Sequence, residues 1–124
     1  MVDSTVTKKV LILCRNPPYG SSTSREAIDV ALAGAVFNQD ISILFLDDGV
    51  YQLIKNQHAE SIELKDQSKL LQSLEMYDIE QVYAERHSLE NRGLKATNIY
   101  GPTKIMEKAA VSAFISSHQV VLSY

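Results

Sequence analysis

The chain of 124 residues has little cysteine and no excess of basic residues. Cys14 is the single cysteine, so an intrachain disulfide is excluded and nothing marks an oxidising compartment. Twelve basic residues stand against 15 acidic ones, for a formal net charge of -3. That balance argues against direct binding of nucleic acid, which needs a basic surface. No apolar run is long enough to cross a membrane, and no signal peptide is recognisable. These absences favour a cytoplasmic protein.

Linkers, internal repeats and low-complexity tracts are missing as well, which predicts one domain. Hydrophobic residues make up 45% of the chain and charged residues 22%, which is typical of a globular domain. Residues 1–8 are mostly polar and are predicted to form a flexible N-terminus. Residues 9–124 are predicted to form the domain.

Short apolar runs alternate with segments of helical periodicity. VLILC (10–14) and ISILFL (41–46) are continuous apolar runs, typical of parallel strands that are buried on both faces. Between them, Thr23 and Glu26 match a capping box, and apolar residues then recur at helical spacing through Val36. Such a strand–helix–strand unit has a right-handed crossover. The predicted fold is therefore α/β, a flavodoxin-like single domain with four or five mainly parallel strands flanked by helices.

The second half of the chain is less regular. Six further elements are predicted there: a short edge strand at 61–64, a helix capped by Asp66, a strand near 79–85, a helical turn closed by Gly93, a helix starting at 101–103 and a strand at 120–124. Gly93 suits the end of a helical turn because glycine adopts the left-handed backbone conformation without steric cost.

The loop after the first predicted strand is one candidate site. SSTS (21–24) precedes a helix, as in a flavodoxin phosphate loop, where backbone N–H groups and the helix dipole bind an anion. Against this, Pro17 and Pro18 remove two backbone donors. The chain also contains neither GxGxxG nor a P-loop motif. The alternative is that these hydroxyls cap the helix.

Cys14 ends the first predicted strand. A phosphatase-type cysteine needs an arginine six residues further on, whereas this chain has Gly20 there, and a CxxC pair needs a second cysteine. At the end of a buried strand, cysteine commonly packs as a small hydrophobic residue. Arg15 beside it could lower its pKa, which would favour a reactive thiol. Packing is the favoured interpretation, and a reactive thiol is the alternative.

The sequence predicts no metal site and no cofactor. The three histidines are scattered and have no partner at metal-ligand spacing: His58, His87 and His118. Asp47 and Asp48 follow a predicted strand and could chelate magnesium, as in phosphotransfer receivers. Those proteins also need an acceptor aspartate at a later strand end, where this chain has Glu85, Arg86 and His87. His87 lies on the expected functional side, with a solvated loop histidine as the alternative.

Three longer segments resemble a known family. PPYGSSTSREAIDVALA, FLDDGVYQLIKNQ and LEMYDIEQVYAERHSLENRGL are similar in order and spacing to the DsrE/DsrF-like family. Within that family, the resemblance is to the TusC/DsrF type of subunit. It extends from Lys9 to Tyr124, and the combination of segments carries it rather than any single one.

The resemblance implies a heterohexamer of TusB-, TusC- and TusD-like chains. Such a complex passes persulfide sulfur to a TusE-like acceptor for 2-thiolation of the wobble uridine in certain tRNAs. The relay cysteine belongs to the TusD/DsrE-type subunit, and its position falls at about Glu85 in this chain. A carboxylate cannot accept a sulfane sulfur, so this chain is predicted to be a non-catalytic subunit. The alternatives are a DsrEFH-like subunit in sulfur oxidation, a sulfur carrier that uses Cys14, and a flavodoxin-like nucleotide or flavin binder.

An apolar segment in a predicted loop indicates where partner chains bind. DDGVYQLI (47–54) follows a strand, and apolar side chains in such a loop favour burial by another chain. The predicted interface residues are Tyr19, Asp48, Gly49, Val50, Tyr51, Leu53 and His87.

Overall fold

One five-stranded sheet organises the chain, of which the computed structural model describes residues 7–18, 22–55 and 62–124, with residues 62–68 described by their backbone alone. The strands are β1 (Lys9–Cys14), β2 (Asp40–Phe45), β3 (Gln81–Glu85), β4 (Lys104–Met106) and β5 (Val120–Ser123). The α-helices are α1 (Thr23–Val36), α2 (Ile62–Met76), α3 (Arg86–Asn91) and α4 (Lys108–Ser116), and 3-10 helices span Asp47–Leu53 and Ala96–Asn98. All four strand pairings are parallel, which confirms the predicted α/β class.

The strand order is β4-β3-β2-β1-β5. The chain adds β2, β3 and β4 outward on one side of β1 and then returns to place β5 on the other side. Because crossovers between parallel strands are right-handed, the outward connections place α1 and α2 on one face of the sheet, and the return connection places α4 on the opposite face. The crevice between β1 and β5 is therefore a topological switch point. The order differs from that of flavodoxin, in which β1 lies between β2 and β3.

The two faces of the sheet are covered unequally. Alternate strand residues form the larger core under α1 and α2: Ile12, Cys14, Ile41, Ile43, Phe45, Val82 and Ala84. The other face presents a smaller set under α4: Leu11, Leu13, Leu44 and Met106. Both faces of β1 and β2 are thus buried, as their continuous apolar runs predicted. None of the nine residues of α4 is buried, so this single short helix covers its face only thinly. Within the described part of the chain, no helix combines the length and apolar character needed to span a membrane.

Two predictions for the second half of the chain are wrong. Residues 62–64 belong to α2 rather than to an edge strand, so the helix begins before Asp66. Residues 104–106 form β4, and the last helix begins only at Lys108. Short apolar runs fit either a strand or a helix, and only pairing with a neighbouring strand separates the two. Gly93 has φ 67° and follows α3, as predicted.

The start of α1 also differs from its prediction. Ser22, not Thr23, occupies the N-cap position. Its Oγ donates to Glu26 Oε1 at 2.8 Å, a bond between two side chains rather than the predicted capping of helical N–H groups. The prediction of a flexible segment at residues 1–8 lies largely outside the described residues, and β1 begins at Lys9.

Candidate functional site

The carboxyl ends of β1 to β4 bring charged residues to one edge of the sheet. Parallel strands end at the same edge, so the residues that follow them meet there even though they are far apart in the chain. We call this group the carboxyl-edge cluster: Arg15, Asp47, Asp48, Glu85, Arg86, Ser88, Arg92 and Glu107.

Three ion pairs connect the loops of the cluster. Each joins an arginine to a carboxylate from another strand end: Arg15 Nε to Asp47 Oδ2 (3.3 Å), Arg86 Nε to Glu107 Oε1 (2.6 Å) and Arg92 Nη2 to Asp48 Oδ1 (3.0 Å). Five of these six side chains are half exposed or more, and Arg92 is the exception at 21%. A solvent-exposed pair contributes only about 0–1 kcal/mol to the free energy of unfolding. Together the three pairs link the loops that follow β1, β2, β3 and β4 to one another.

A buried hydrogen-bond chain lies in the same cluster. Ser88 Oγ donates to Glu85 Oε1 at 2.5 Å and accepts from the backbone N–H of Asp47 at 2.8 Å. Glu85 is only 7% exposed, and Ser88 is buried. A serine hydroxyl has a single proton to donate, and here that proton is directed at Glu85. Glu85 and Ser88 therefore act together as a bridge between the ends of β3 and β2.

The turn after β2 has an uncommon backbone conformation. Asp47 has φ 51°, in the left-handed region that aspartate tolerates better than most residues. The chain turns there from β2 into the 3-10 helix Asp47–Leu53. Gly49 in that helix lies against β1: a Cβ at this position would be 1.8 Å from the carbonyl oxygen of Cys14. The 3-10 helix therefore closes over the end of the sheet.

Cys14 is completely buried beneath this closure. Burial raises the pKa of its thiol from 9.0 to about 12. Arg15, which could have lowered that pKa, points its Nε at Asp47 instead. A thiol that stays protonated and inaccessible near neutral pH is a poor nucleophile. This environment supports a packing role for Cys14.

Three of the predicted interface residues are not available to a partner. Val50 and Leu53 are completely buried in the chain's own core, and Gly49 is buried against β1. The prediction that this segment leaves apolar groups exposed is therefore wrong for these residues. The prediction assumes that residues 47–54 form a projecting loop. In the structure, the 3-10 helix Asp47–Leu53 folds back onto the sheet. Tyr19 lies outside the described residues.

Asp48, Tyr51 and His87 remain at the surface, and their role in an interface stays a prediction. Tyr51 is half-buried, and the Arg92 guanidinium lies 6.0 Å from its ring centroid, at the limit of a cation–π contact. His87 is exposed, with a ring nitrogen 3.1 Å from Asn91 Nδ2.

A cavity of about 360 Å³ lies at the switch point between β1 and β5, where open α/β sheets bind ligands. Its lining residues are Arg15, Asn16, Asp47, Ser123 and Tyr124. The one cation among them, Arg15, is already paired with Asp47. The predicted phosphate loop lies only partly within the described residues, and Ser24 is buried in α1. Among the described residues, no group of three or more His, Cys, Asp or Glu side chains is placed to hold a metal ion.

Ser88 and Arg92 are residues of the cluster that sequence reasoning missed. Ser88 lies three positions after Glu85, and Arg92 lies four after Ser88, with Arg92 Nη1 donating to the Ser88 carbonyl oxygen at 3.1 Å. Spacings of three and four place side chains on one side of a helical turn. The segment ERHSLENR (85–92) therefore contains the helical spacing that relates Glu85, Ser88 and Arg92. That spacing becomes informative when a helix is predicted to begin at Arg86.

The fold and its carboxyl edge define a five-stranded parallel α/β domain whose one thiol is buried. The chain matches the model of the DsrE/DsrF-like family over residues 8–124 and belongs to that family. It is 46% identical over 91 residues to the intracellular sulfur oxidation protein DsrF of Allochromatium vinosum, covering 73% of this chain and 67% of that protein. It is 31% identical over 118 residues to a TusC homolog of Pseudomonas aeruginosa, covering 95% of this chain and 99% of that protein. The predicted similarity to the TusC/DsrF type is thereby confirmed.

A solved structure shares the fold. The crystal structure of the ychN protein from E. coli matches with a TM-score of 0.76 over 95% of this chain and 100% of that chain. The two sequences are 18% identical, so this likeness concerns the fold alone.

Proposed function

We propose that this protein is a non-catalytic, cytoplasmic subunit of a TusBCD-like sulfur relay complex. In this proposal it assembles with TusB-like and TusD-like chains as a heterohexamer. The complex passes persulfide sulfur to a TusE-like acceptor for 2-thiolation of the wobble uridine of tRNA. Family membership and the similarity to DsrF and TusC homologs support a relay role. The observation that carries the non-catalytic part is the burial of Cys14, whose pKa is raised to about 12.

Glu85 supports the same assignment. The family resemblance places the relay cysteine of the TusD/DsrE type at about this position. Sulfane transfer needs a thiolate that attacks the outer sulfur of a persulfide. Glu85 offers only a carboxylate, which accepts a hydrogen bond from Ser88. In this proposal the sulfur-carrying thiol belongs to a partner chain. The carboxyl-edge cluster helps to form the interface around that thiol.

A role in sulfur oxidation is the second candidate. It is favoured by the 46% identity with DsrF, whereas two of the TusC homologs are 31% and 41% identical. Neighbouring genes distinguish the two roles: TusB-, TusD- and TusE-like genes indicate tRNA thiolation, and sulfite reductase genes indicate sulfur oxidation. Absorbance of the purified protein tests the third candidate, a flavin or nucleotide binder.

Replacing Cys14 with alanine tests the proposal. We expect the assembled complex to keep its sulfur transfer rate within about twofold, because the thiol takes no part in the transition state. Alanine is preferred to serine because a buried hydroxyl without a partner costs about 1–3 kcal/mol. The measurement is wobble-uridine thiolation, normalised to the amount of complex. Replacing the TusD-like relay cysteine is the positive control and should abolish transfer. Loss of thiolation by Cys14→Ala in an intact complex would instead make Cys14 a sulfur carrier.

Tyr51 provides a test of the assembly. We expect Tyr51→Ala to weaken partner binding by about 2 kcal/mol, roughly 30-fold in Kd, as truncation of a central aromatic residue does. Tyr51→Phe keeps the apolar ring and should retain most of the affinity. Both variants should unfold near the wild-type temperature, since Tyr51 is only half-buried. Normal assembly combined with much earlier melting of Tyr51→Ala would assign the residue to the chain's own packing.

A further inference from the structure

The amino edge of the sheet, opposite the carboxyl-edge cluster, exposes four large apolar side chains. They belong to the ends of α1 and α2: Val36 (62% exposed), Phe37 (75%), Met76 (80%) and Tyr77 (45%). We call them the amino-edge patch. Only Ile54 and Val121 are also exposed among the large apolar residues of the described part of the chain. Four of these six exposed side chains therefore lie at the amino edge of the sheet.

The two helix ends lie side by side because α1 and α2 pack against each other on the same face of the sheet. Both helices end in the same way: Asn38 and Asp78 adopt left-handed backbone conformations, with φ 60° and 59°. An aromatic residue precedes each of these turns, so Phe37 and Tyr77 occupy equivalent places. The two ends border one groove of about 440 Å³, which Ala35 and Tyr77 both line.

The groove beside the patch is acidic. Asp40, Asp78 and Glu80 line it, and its lining contains no lysine or arginine. All three are exposed, and none takes part in the three ion pairs found in the described part of the chain. Lys9 lies opposite Asp40 in the β1–β2 register, so Asp78 and Glu80 supply most of the negative character.

We propose that this groove binds a segment of a partner protein that presents an apolar side chain flanked by lysine or arginine. The amino-edge patch would cover the apolar side chain, and Asp78 and Glu80 would face its cations. A second copy docked about a two-fold axis would bring the same carboxylates together, which like-charge repulsion disfavours. The groove lies at the opposite edge from the carboxyl-edge cluster, so its occupancy does not depend on the relay role proposed above.

Amide NMR of the full chain, titrated with two pentapeptides, tests the proposal. One probe has phenylalanine between two arginines, and the matched probe has phenylalanine between two glutamates. We expect the arginine peptide to shift the amides of residues 35–41 and 77–81, with binding that weakens as salt is added. We expect the glutamate peptide to shift none of them.

Two variants and a control locate the binding. A double variant, Asp78→Asn with Glu80→Gln, should bind the arginine peptide roughly fivefold more weakly, since two screened surface charges are removed. Phe37→Ser should weaken binding roughly tenfold, because the apolar contact is lost. Val121→Ser, at an exposed apolar position of β5, should bind like the wild type. Melting temperatures near the wild-type value would show that the variants fold, as expected for exposed positions.

Other outcomes overturn the proposal. Equal shifts with both peptides, shifts confined to another surface, or no shifts with the arginine peptide would exclude a basic–apolar segment. Sedimentation of the chain without peptide identifies the competing occupant. A dimer that Phe37→Ser dissociates would show that a second copy covers the groove, against the proposal.

Discussion

Replacing Gly49 with alanine is expected to lower the free energy of unfolding by about 3 kcal/mol or more. A Cβ there would lie 1.8 Å from the carbonyl oxygen of Cys14, 2.5 Å from its carbonyl carbon and 3.0 Å from the Arg15 nitrogen. All three are backbone atoms at the end of β1, which is paired on both sides by β2 and β5. No side-chain rotation relieves such a contact, so the 3-10 helix Asp47–Leu53 would have to move off the sheet. Chemical denaturation measures the change.

Gly101→Ala is the matched control for this experiment. Gly101 is exposed, and a Cβ at its position would meet nothing within 4 Å. The free energy of unfolding of Gly101→Ala should stay within about 0.5 kcal/mol of the wild-type value. Both substitutions restrict the unfolded chain to a similar extent, so the difference between them isolates the contact with β1. Equal stabilities of the two variants would mean that the 3-10 helix lies further from β1 than the structure places it.

Cys14 in the native protein is expected to react with an aromatic disulfide reagent at least about a thousandfold more slowly than in the unfolded chain. Raising the pKa from 9.0 to about 12 lowers the thiolate population near neutral pH by about that factor. Complete burial adds a steric barrier, so labelling has to proceed through local opening. The release of the coloured thiol, followed by absorbance, measures both rates.

The control for the labelling experiment is the same protein in denaturant, which gives the intrinsic rate of Cys14 with this reagent. Gly49→Ala offers a second comparison, because loosening the 3-10 helix should speed labelling of the native protein. Rapid, stoichiometric labelling of the wild-type native chain would contradict the buried, protonated thiol. It would also favour the alternative in which Cys14 carries sulfur.

The two edges of the sheet differ in the contacts that their exposed side chains make. At the carboxyl edge, three ion pairs and the Ser88 bridge hold the loops to one another. At the amino edge, the amino-edge patch and its acidic groove have no cover within the described chain. The chain therefore presents ion-paired loops at one edge of the sheet and exposed apolar side chains at the other.

The sequence by itself determined the α/β class, β1, β2, β5 and the helix between the first two strands. These elements depend on local properties, namely continuous apolar runs such as VLILC and the helical spacing of apolar residues up to Val36. The family resemblance followed from three segments whose order and spacing can be read directly. Glu85, which the resemblance places at about the relay-cysteine position, and the single Cys14 were likewise visible without coordinates.

Only the tertiary structure decided which of these residues are accessible. Val50 and Leu53 look like exposed loop residues in the sequence, yet the 3-10 helix buries them, because Gly49 allows a close approach to the backbone of Cys14. Lys104–Met106 becomes a strand because β3 offers it a pairing edge. The carboxyl-edge cluster likewise joins residues up to 44 positions apart, such as Asp48 and Arg92. Contacts of this kind arise where parallel strands end together, and no periodicity along the chain encodes them.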